Sequence, residues 1–328
     1  MRASLLILFC LLLSACSAPV DPPTVETPTV ETPSVEISTV DLKEHSVIFT
    51  KSNDGGETWI QSETLAEAAS VPNLMLLHSD VGDFNAGTLF MHFVDASEMN
   101  QPGEERIAFI SSADDGSTWD EERTIININN VPKGAIPVDP SLVQLEDGRM
   151  RIYFFDFSAS KQPHQTSTFQ FMAATSDDGI NFDYDGIVYE FYGELITDPE
   201  VLWFNEQWIM VHPINTGSDQ DLIVTTSEDG LSFTEVNRVL GWNGIPGLLD
   251  YDGTVVLFGC DQQVSWLESI DGITYDLDDI KSLTIGGCDP DPVLFSDGSI
   301  GLSLKTFKHD EQVSEPSAPF PSGNSASL

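Results

Sequence analysis

From Lys43 to Phe307 short apolar runs alternate with tight clusters of Asp, Asn, Gly and Ser. The runs "RIAFISS", "FQFMAATS", "DLIVTTS" and "VSWLES" place apolar residues at every second position, and each is followed across a turn by a more polar run: "WDEERTII", "FDYDGIVYE", "FTEVNRVL" and "YDLDDIKSLT". A period of two over such lengths predicts half-buried strands joined as antiparallel hairpins rather than helices. The turns share one sentence, read at "KSNDGGETW", "SSADDGSTW", "ATSDDGINF", "TTSEDGLSF" and "LESIDGITY". In each, a glycine (Gly56, Gly116, Gly179, Gly230, Gly272) supplies the positive φ of a tight turn, and an acidic side chain bonds nearby backbone amides. The closing aromatics Trp59, Trp119, Phe182, Phe233 and Tyr275 are expected to bury themselves and pin the turn.

A second hairpin precedes each of the later turns. It reads "DPSLVQLEDGRMRIYFF", "DPEVLWFNEQWIMVH", "IPGLLDYDGTVVLFG" and "DPDPVLFSDGSIGLSL", with "VPNLMLLHSDVGDFNAGTLFMHF" as the loosest copy. Two hairpins make a four-stranded sheet, and repetition at several tens of residues predicts blades of a propeller. The segment begins with the second half of a blade and ends with the first half of one, so pairing the two ends completes the ring and removes exposed edges. The expected fold is all-β: a five-bladed β-propeller of four-stranded antiparallel blades over residues 43–308, closed by a composite N-/C-terminal blade.

The turn pattern S/T-x-D-x-G-x-x-W/F/Y resembles the Asp-box (BNR repeat) of sialidase-like β-propellers. It aligns as Ser52-Asp54-Gly56-Trp59, Ser112-Asp114-Gly116-Trp119 and Thr175-Asp177-Gly179-Phe182, and decays to Thr226-Glu228-Gly230-Phe233 and Glu268-Ile270-Gly272-Tyr275. Sialidase activity does not follow from the resemblance. That chemistry holds a substrate carboxylate with three guanidinium forks, whereas Arg106, Arg123, Arg149, Arg151 and Arg238 lie in or beside strands, none in an R-I-P motif. Five blades are more similar to arabinanase-, β-xylosidase- and invertase-type glycosidases, in which carboxylates at inner-strand starts surround a central pocket.

That resemblance directs attention to Asp139 in "VDPSL", Asp198 and Glu200 in "TDPEV", and Asp289 and Asp291 in "CDPDPV"; Asn73 and Gly247 stand at the remaining two mouths. Residues two apart on a strand share a face, so Asp198 with Glu200, and Asp289 with Asp291, are expected to present paired carboxylates to one cavity. Crowded carboxylates ionise unequally, which glycoside hydrolysis exploits with one protonated acid and one ionised partner. Asp198 and Glu200 are the first pair for stabiliser and general acid, with Asp139 or Asp289 as base. An Asp-Pro dipeptide is also ordinary turn chemistry, so a non-catalytic surface propeller that binds glycan or protein stands as the alternative. Tyr192, His212 and Trp242 are candidate substrate contacts; core packing is their other reading. No metal loop is legible and no cofactor is expected, although Ca2+ at the central cavity is an alternative occupant for the carboxylates. The same family geometry brings Cys260 and Cys288 to one face of adjacent blades, where a disulfide can form.

The ends concern destination. "MRASLLILFCLLLSAC" has an apolar run too short for a bilayer span and resembles a lipoprotein signal over residues 1–15, with Cys16 as the lipidated residue. Residues 16–42 repeat Pro, Thr, Val and Glu as a solvated tether, and 309–328 form a Ser/Pro-rich tail expected to be disordered. A formal net charge of −40 argues against nucleic acid and anionic lipid surfaces as partners. The expectation is a monomer exported to the bacterial cell envelope, held by its N-terminal lipid and acting on a glycan or oligosaccharide.

Overall fold

A computed structural model describes residues 42–307, apart from residues 62, 162–166, 216–219, 262 and 284. Cys16, the tether and the tail lie outside the described residues. Strands pair antiparallel in five small sheets. Blade 1 comprises Ala69–Leu76, Leu89–Asp95, Arg106–Ser112 and Thr124–Ile125. Blade 2 comprises Pro137–Gln144, Met150–Asp156, Thr168–Ser176 and Asn181–Tyr192, with Asn127–Asn129 added parallel at its outer edge. Blade 3 holds Glu200–Phe204, Gln207–Asn215, Gln220–Ser227 and Thr234–Val239; blade 4 holds Gly247–Tyr251, Thr254–Asp261, Gln263–Ser269 and Lys281–Ser282. Blade 5 is the composite: Cys288–Leu294 and Ile300–Phe307 from the end of the domain pair with His45–Ser52 from its beginning, His45 opposite Phe307 and Ser52 opposite Ile300, and the short Ile60–Gln61 and Ala66–Glu67 form its outer edge.

The core is divided among the joints between blades. Met75, Phe90 and Phe109 of blade 1 meet Leu142, Ile152 and Met172 of blade 2, and Tyr153, Phe155 and Phe171 meet Val201, Met210 and Ile223 of blade 3. Ile209, Val211 and Val224 meet Leu248, Leu257 and Leu267 of blade 4, while Val256, Phe258 and Trp266 meet Ile48, Leu302 and Leu304 of blade 5. Val47, Phe49 and Val293 close the ring on Leu74, Met91 and Ala108. Each blade is thus covered on both faces. That is why second strands such as Leu89–Asp95 and Met150–Asp156 are buried at every position instead of at alternate ones.

The five shared turns join third and fourth strands, and their geometry corrects the alignment of three. Ser52 with Asp54, and Ser112 with Asp114, form the expected arrangement: the serine hydroxyl donates to the aspartate and accepts the N–H of Gly56 or Gly116, and the aspartate accepts the N–H of Thr58 or Thr118. The Thr118 N–H bond above all holds Asp114 below the ordinary carboxylate range. In the third turn the acid in this role is Asp178, bonded to Ser176 at 3.0 Å and to the Asn181 N–H at 2.7 Å, and not Asp177. Asp229 with Ser227, and Asp271 with Ser269, do the same in the fourth and fifth. These turns have not decayed. Each is one residue shorter between serine and aromatic, which displaces the apparent motif by one position. Phe182, Phe233 and Tyr275 are buried; Trp59 and Trp119 are partly so, their indole N–H groups donating to the Gly56 and Gly116 carbonyls at 3.1 Å.

Candidate active site: a two-tiered well of carboxylates

Every inner strand is entered through an X-Pro step: Val71-Pro72, Asp139-Pro140, Asp198-Pro199, Ile245-Pro246 and Asp289-Pro290. Proline is tolerated there because it lies just ahead of the strand in blades 3 and 4 and at a break in the ladder in blades 1, 2 and 5, where its N–H can be spared. The residue before it is left-handed in four of the five, with φ of 49° at Val71, 53° at Asp139, 50° at Asp198 and 53° at Asp289. Such angles are costly for side-chain-bearing residues, and for β-branched Val71 most of all. The pairing register of blades 1, 2 and 5 also slips across this step. These ten residues, with Asn73, Glu200 and Asp291, line a well on the propeller axis of about 260 Å³ including its open mouth.

The well has two tiers. The residues preceding the prolines form the outer tier, and those following them (Asn73, Ser141, Glu200, Gly247 and Asp291) form the inner one, two positions further along each strand. The sequence-derived acids therefore do converge on one cavity, but they divide between layers with different partners.

In the inner tier each side chain accepts an N–H from the next blade. Asn73 Oδ1 accepts Leu142 N–H at 3.0 Å, Ser141 Oγ accepts Val201 N–H at 3.0 Å, and Asp291 Oδ1 accepts Leu74 N–H at 2.9 Å. Glu200 accepts the Leu248 N–H and the Ser141 hydroxyl, and is itself hydrogen-bonded to Asp291. Asn73 Nδ2 donates to Asp291 Oδ2 at 2.7 Å and to Glu200 Oε2 at 3.3 Å. Burial, then the charge of Asp291, push Glu200 well above the ordinary range, and burial pushes Asp291 up to about 7 against the Leu74 N–H and Asn73 bonds. Two buried carboxyls in contact hold a proton between them.

The outer tier contains Asp139, Asp198 and Asp289, with aliphatic Val71 and Ile245 completing the circle. Burial, then the charge of Asp198, push Asp139 well above the ordinary range although it accepts the Asp198 N–H. Burial, then the charge of Asp289, push Asp198 up to about 7. Asp289 is paired with the Lys305 ammonium, whose Nζ lies 2.5 Å from Oδ2. Beside it Cys260 and Cys288 are joined in a disulfide, their Cα atoms 5.3 Å apart, across the joint between blades 4 and 5.

Three expected substrate contacts lie elsewhere. His212 is fully buried between blades 2 and 3, its ring 4.9 Å from Phe171 and 5.2 Å from Tyr189, and burial drives its pKa down to about 3. Trp242 is also core, donating to the Gly244 carbonyl at 3.0 Å and packed so closely on Gly259 that a Cβ there would meet its ring at 2.2 Å. Tyr192 is exposed at the end of an outer strand, away from the well lining. An aromatic on a connection gains more by filling a joint than by waiting at a rim. Among the described residues no group of three or more His, Cys, Asp or Glu is placed to hold a metal ion, so the Ca2+ expectation finds no site there. Sequence reasoning missed Ser141 and Lys305; the first sits two positions past Asp139 in the same register as Glu200 and Asp291, which is the signal that locates it.

No family model and no curated protein matches the sequence. Solved structures do match in fold. A family 117 glycoside hydrolase of the marine bacterium Zobellia galactanivorans is 12% identical with a TM-score of 0.52, over 81% of this chain and 91% of that one. The α-L-arabinanase of Penicillium chrysogenum, complexed with arabinobiose, is 16% identical with a TM-score of 0.51, over 80% and 86%. The family 93 α-L-arabinofuranosidase of Fusarium graminearum is 15% identical with a TM-score of 0.52, over 79% and 84%. At such identities the likeness establishes the fold, a five-bladed β-propeller.

Proposed function

We propose that the protein is a glycoside hydrolase acting on extracellular glycans through the outer-tier carboxylates of the well. The observation that carries this reading is the convergence of Asp139, Asp198 and Asp289 from three blades in one buried ring, with Asp198 pushed up to about 7 by burial and by Asp289. Hydrolysis of a glycosidic bond needs a carboxylic acid still protonated near neutrality and a second, ionised carboxylate. Asp198 has the environment of the proton donor and Asp289, ion-paired with Lys305, that of the base; Asp139 is pushed well above the ordinary range by burial and then by Asp198, against the ionised state a base requires. Glu200, first paired with Asp198 on strand spacing, is engaged by Ser141, Leu248, Asn73 and Asp291, and we assign it to the scaffold of the site. The glycosidase folds of the three structural neighbours agree with this reading. The Cys260–Cys288 disulfide suits an oxidising compartment, in keeping with export and anchoring through Cys16.

Asp139→Asn, Asp198→Asn and Asp289→Asn should each lower release of reducing sugar from an oligosaccharide panel by a factor of about 10² to 10⁴. Melting temperature and glycan binding should change little. Absence of turnover by the wild type across arabinan, xylan, galactan and fructan panels would reject hydrolysis, and binding without turnover would establish the alternative of a glycan-binding surface propeller.

A further inference from the structure

Among the described residues the outer tier is unusual in having a cation paired to it, Lys305. The chain has 13 Lys and Arg residues against 53 Asp and Glu. Yet Lys305, on the second strand of blade 5 and opposite Cys288 in the register, extends its side chain to Asp289 with only 14% of it exposed. A lysine serving solubility would keep its ammonium in water. Burying it against a carboxylate costs desolvation of both partners, and such a pair is a poor device for stability alone.

The charged groups facing this pair can be set out blade by blade. Blade 2 contributes Asp139, blade 3 contributes Asp198, and blade 5 contributes Asp289 itself; blades 1 and 4 contribute the uncharged Val71 and Ile245. One tier deeper lie Glu200 and Asp291, already engaged with one another and with Asn73. The outer tier is therefore three carboxyls, one ammonium and two aliphatic side chains. Three crowded carboxyls cannot all ionise at neutral pH, and a fixed cation at one of them decides which does. The field of Lys305 also reaches Asp139 and Asp198, but only Asp289 is in contact with it.

We infer that Lys305 is a positioning residue that localises the negative charge of the outer tier on Asp289 and leaves the proton to Asp139 and Asp198. This deepens, and rests on, the hydrolase reading, because it assigns Asp289 as base and Asp198 as acid. In that assignment the Asp198 proton passes to the leaving oxygen as the glycosidic C–O bond breaks. The attacking water forms the new C–O bond and gives its proton to Asp289, and solvent then returns the site to its starting protonation.

The test does not require a substrate. Carboxyl ¹³C NMR titration of the full-length, disulfide-intact protein should show one more outer-tier carboxyl protonated at pH 7 in Lys305→Met than in the wild type, the tier's titration moving up by about one pH unit or more. Lys305→Arg should titrate within a few tenths of a unit of the wild type. Lys305→Gln, neutral, polar and one atom shorter than lysine, should behave as the methionine variant and serves if that variant folds poorly. If the neutral variants titrate as the wild type does, Lys305 is only a structural ion pair and the inference fails. Where the wild type hydrolyses a glycan, the acid limb of its kcat/KM profile should rise by the same interval in Lys305→Met and stay in place in Lys305→Arg. A wild type without activity overturns the hydrolase reading, while the titration still decides the role of Lys305.

Discussion

Among the described residues, four of the five joints around the well are closed by a side chain accepting a backbone N–H from the next blade; the joint between blades 4 and 5 is closed by a covalent bond. Both halves of the polar latch are missing there. Gly247 has no side chain, and a Cβ on it would come within 2.1 Å of the Pro290 carbonyl oxygen. The residue that would donate, Pro292, has no N–H. The backbones approach too closely for the arrangement used elsewhere, and Cys260–Cys288 crosses the same joint. A repeated architecture can therefore lose a hydrogen bond without leaving an orphan when donor and acceptor disappear together.

The comparison can be broken hardest at the covalent joint. Cys260→Ser with Cys288→Ser opens a link between residues 28 apart in sequence, and should lower unfolding free energy by about 3.5 kcal/mol. Urea melts give the total, and hydrogen exchange should quicken at Cys288–Leu294 more than at Pro137–Gln144; uniform quickening would mean that the disulfide does not serve this joint. A smaller loss is expected at a polar joint. Glu200→Ala leaves the Leu248 N–H and the Ser141 hydroxyl without their acceptor, at about 2 to 3 kcal/mol, whereas Glu200→Gln keeps an acceptor and should lose less than about half of that. Equal losses for the two would deny the latch.

The third effect is a slope with pH rather than a loss at one pH. Asp291 has its pKa raised in the folded state from 3.8 to about 7, so between those values the native protein holds a proton that the unfolded chain has released. Its stability must then fall as pH rises through that window, by on the order of 1.4 kcal/mol per pH unit for one such group. Asp291→Asn removes this share, so melts at pH 4, 5.5 and 7 should show a shallower decline than the wild type. An unchanged slope would place the shared proton elsewhere.

Much of this was readable in the residues. The five turns, the strands around them and the half-blades at each end define the ring before any coordinate is known, and the D-P steps mark its mouth. What was not readable depended on one-residue choices. Asp177 and Asp178 are adjacent acids, and only the shortening of the turn selects Asp178. Trp242 and His212 sit where either a rim or a joint could take them, and strand alternation does not decide between two faces that are both buried. Lys305 meets Asp289 across a register shift between Cys288 and Asp291, which counting along the hairpin cannot anticipate. The spacing of Asp198 and Glu200 correctly put both in the well. It said nothing of the N–H groups that the next blade would offer to one and not the other.

The composite blade has a consequence for the order of events when the chain folds. On its outer edge His45–Ser52 pairs with the nearby Ile60–Gln61 and Ala66–Glu67, but its inner edge is met by Ile300–Phe307, so that edge of the first strand to be made must wait for the last. Until then Val47 and Phe49 have only part of the surroundings they later share with Val293 and Leu74, and one strand edge stays open. A ring closed by contacts of such long sequence separation folds slowly and late, and a chain cut short before Ile300 lacks the strand that joins Cys288–Leu294 to His45–Ser52 and closes the circle.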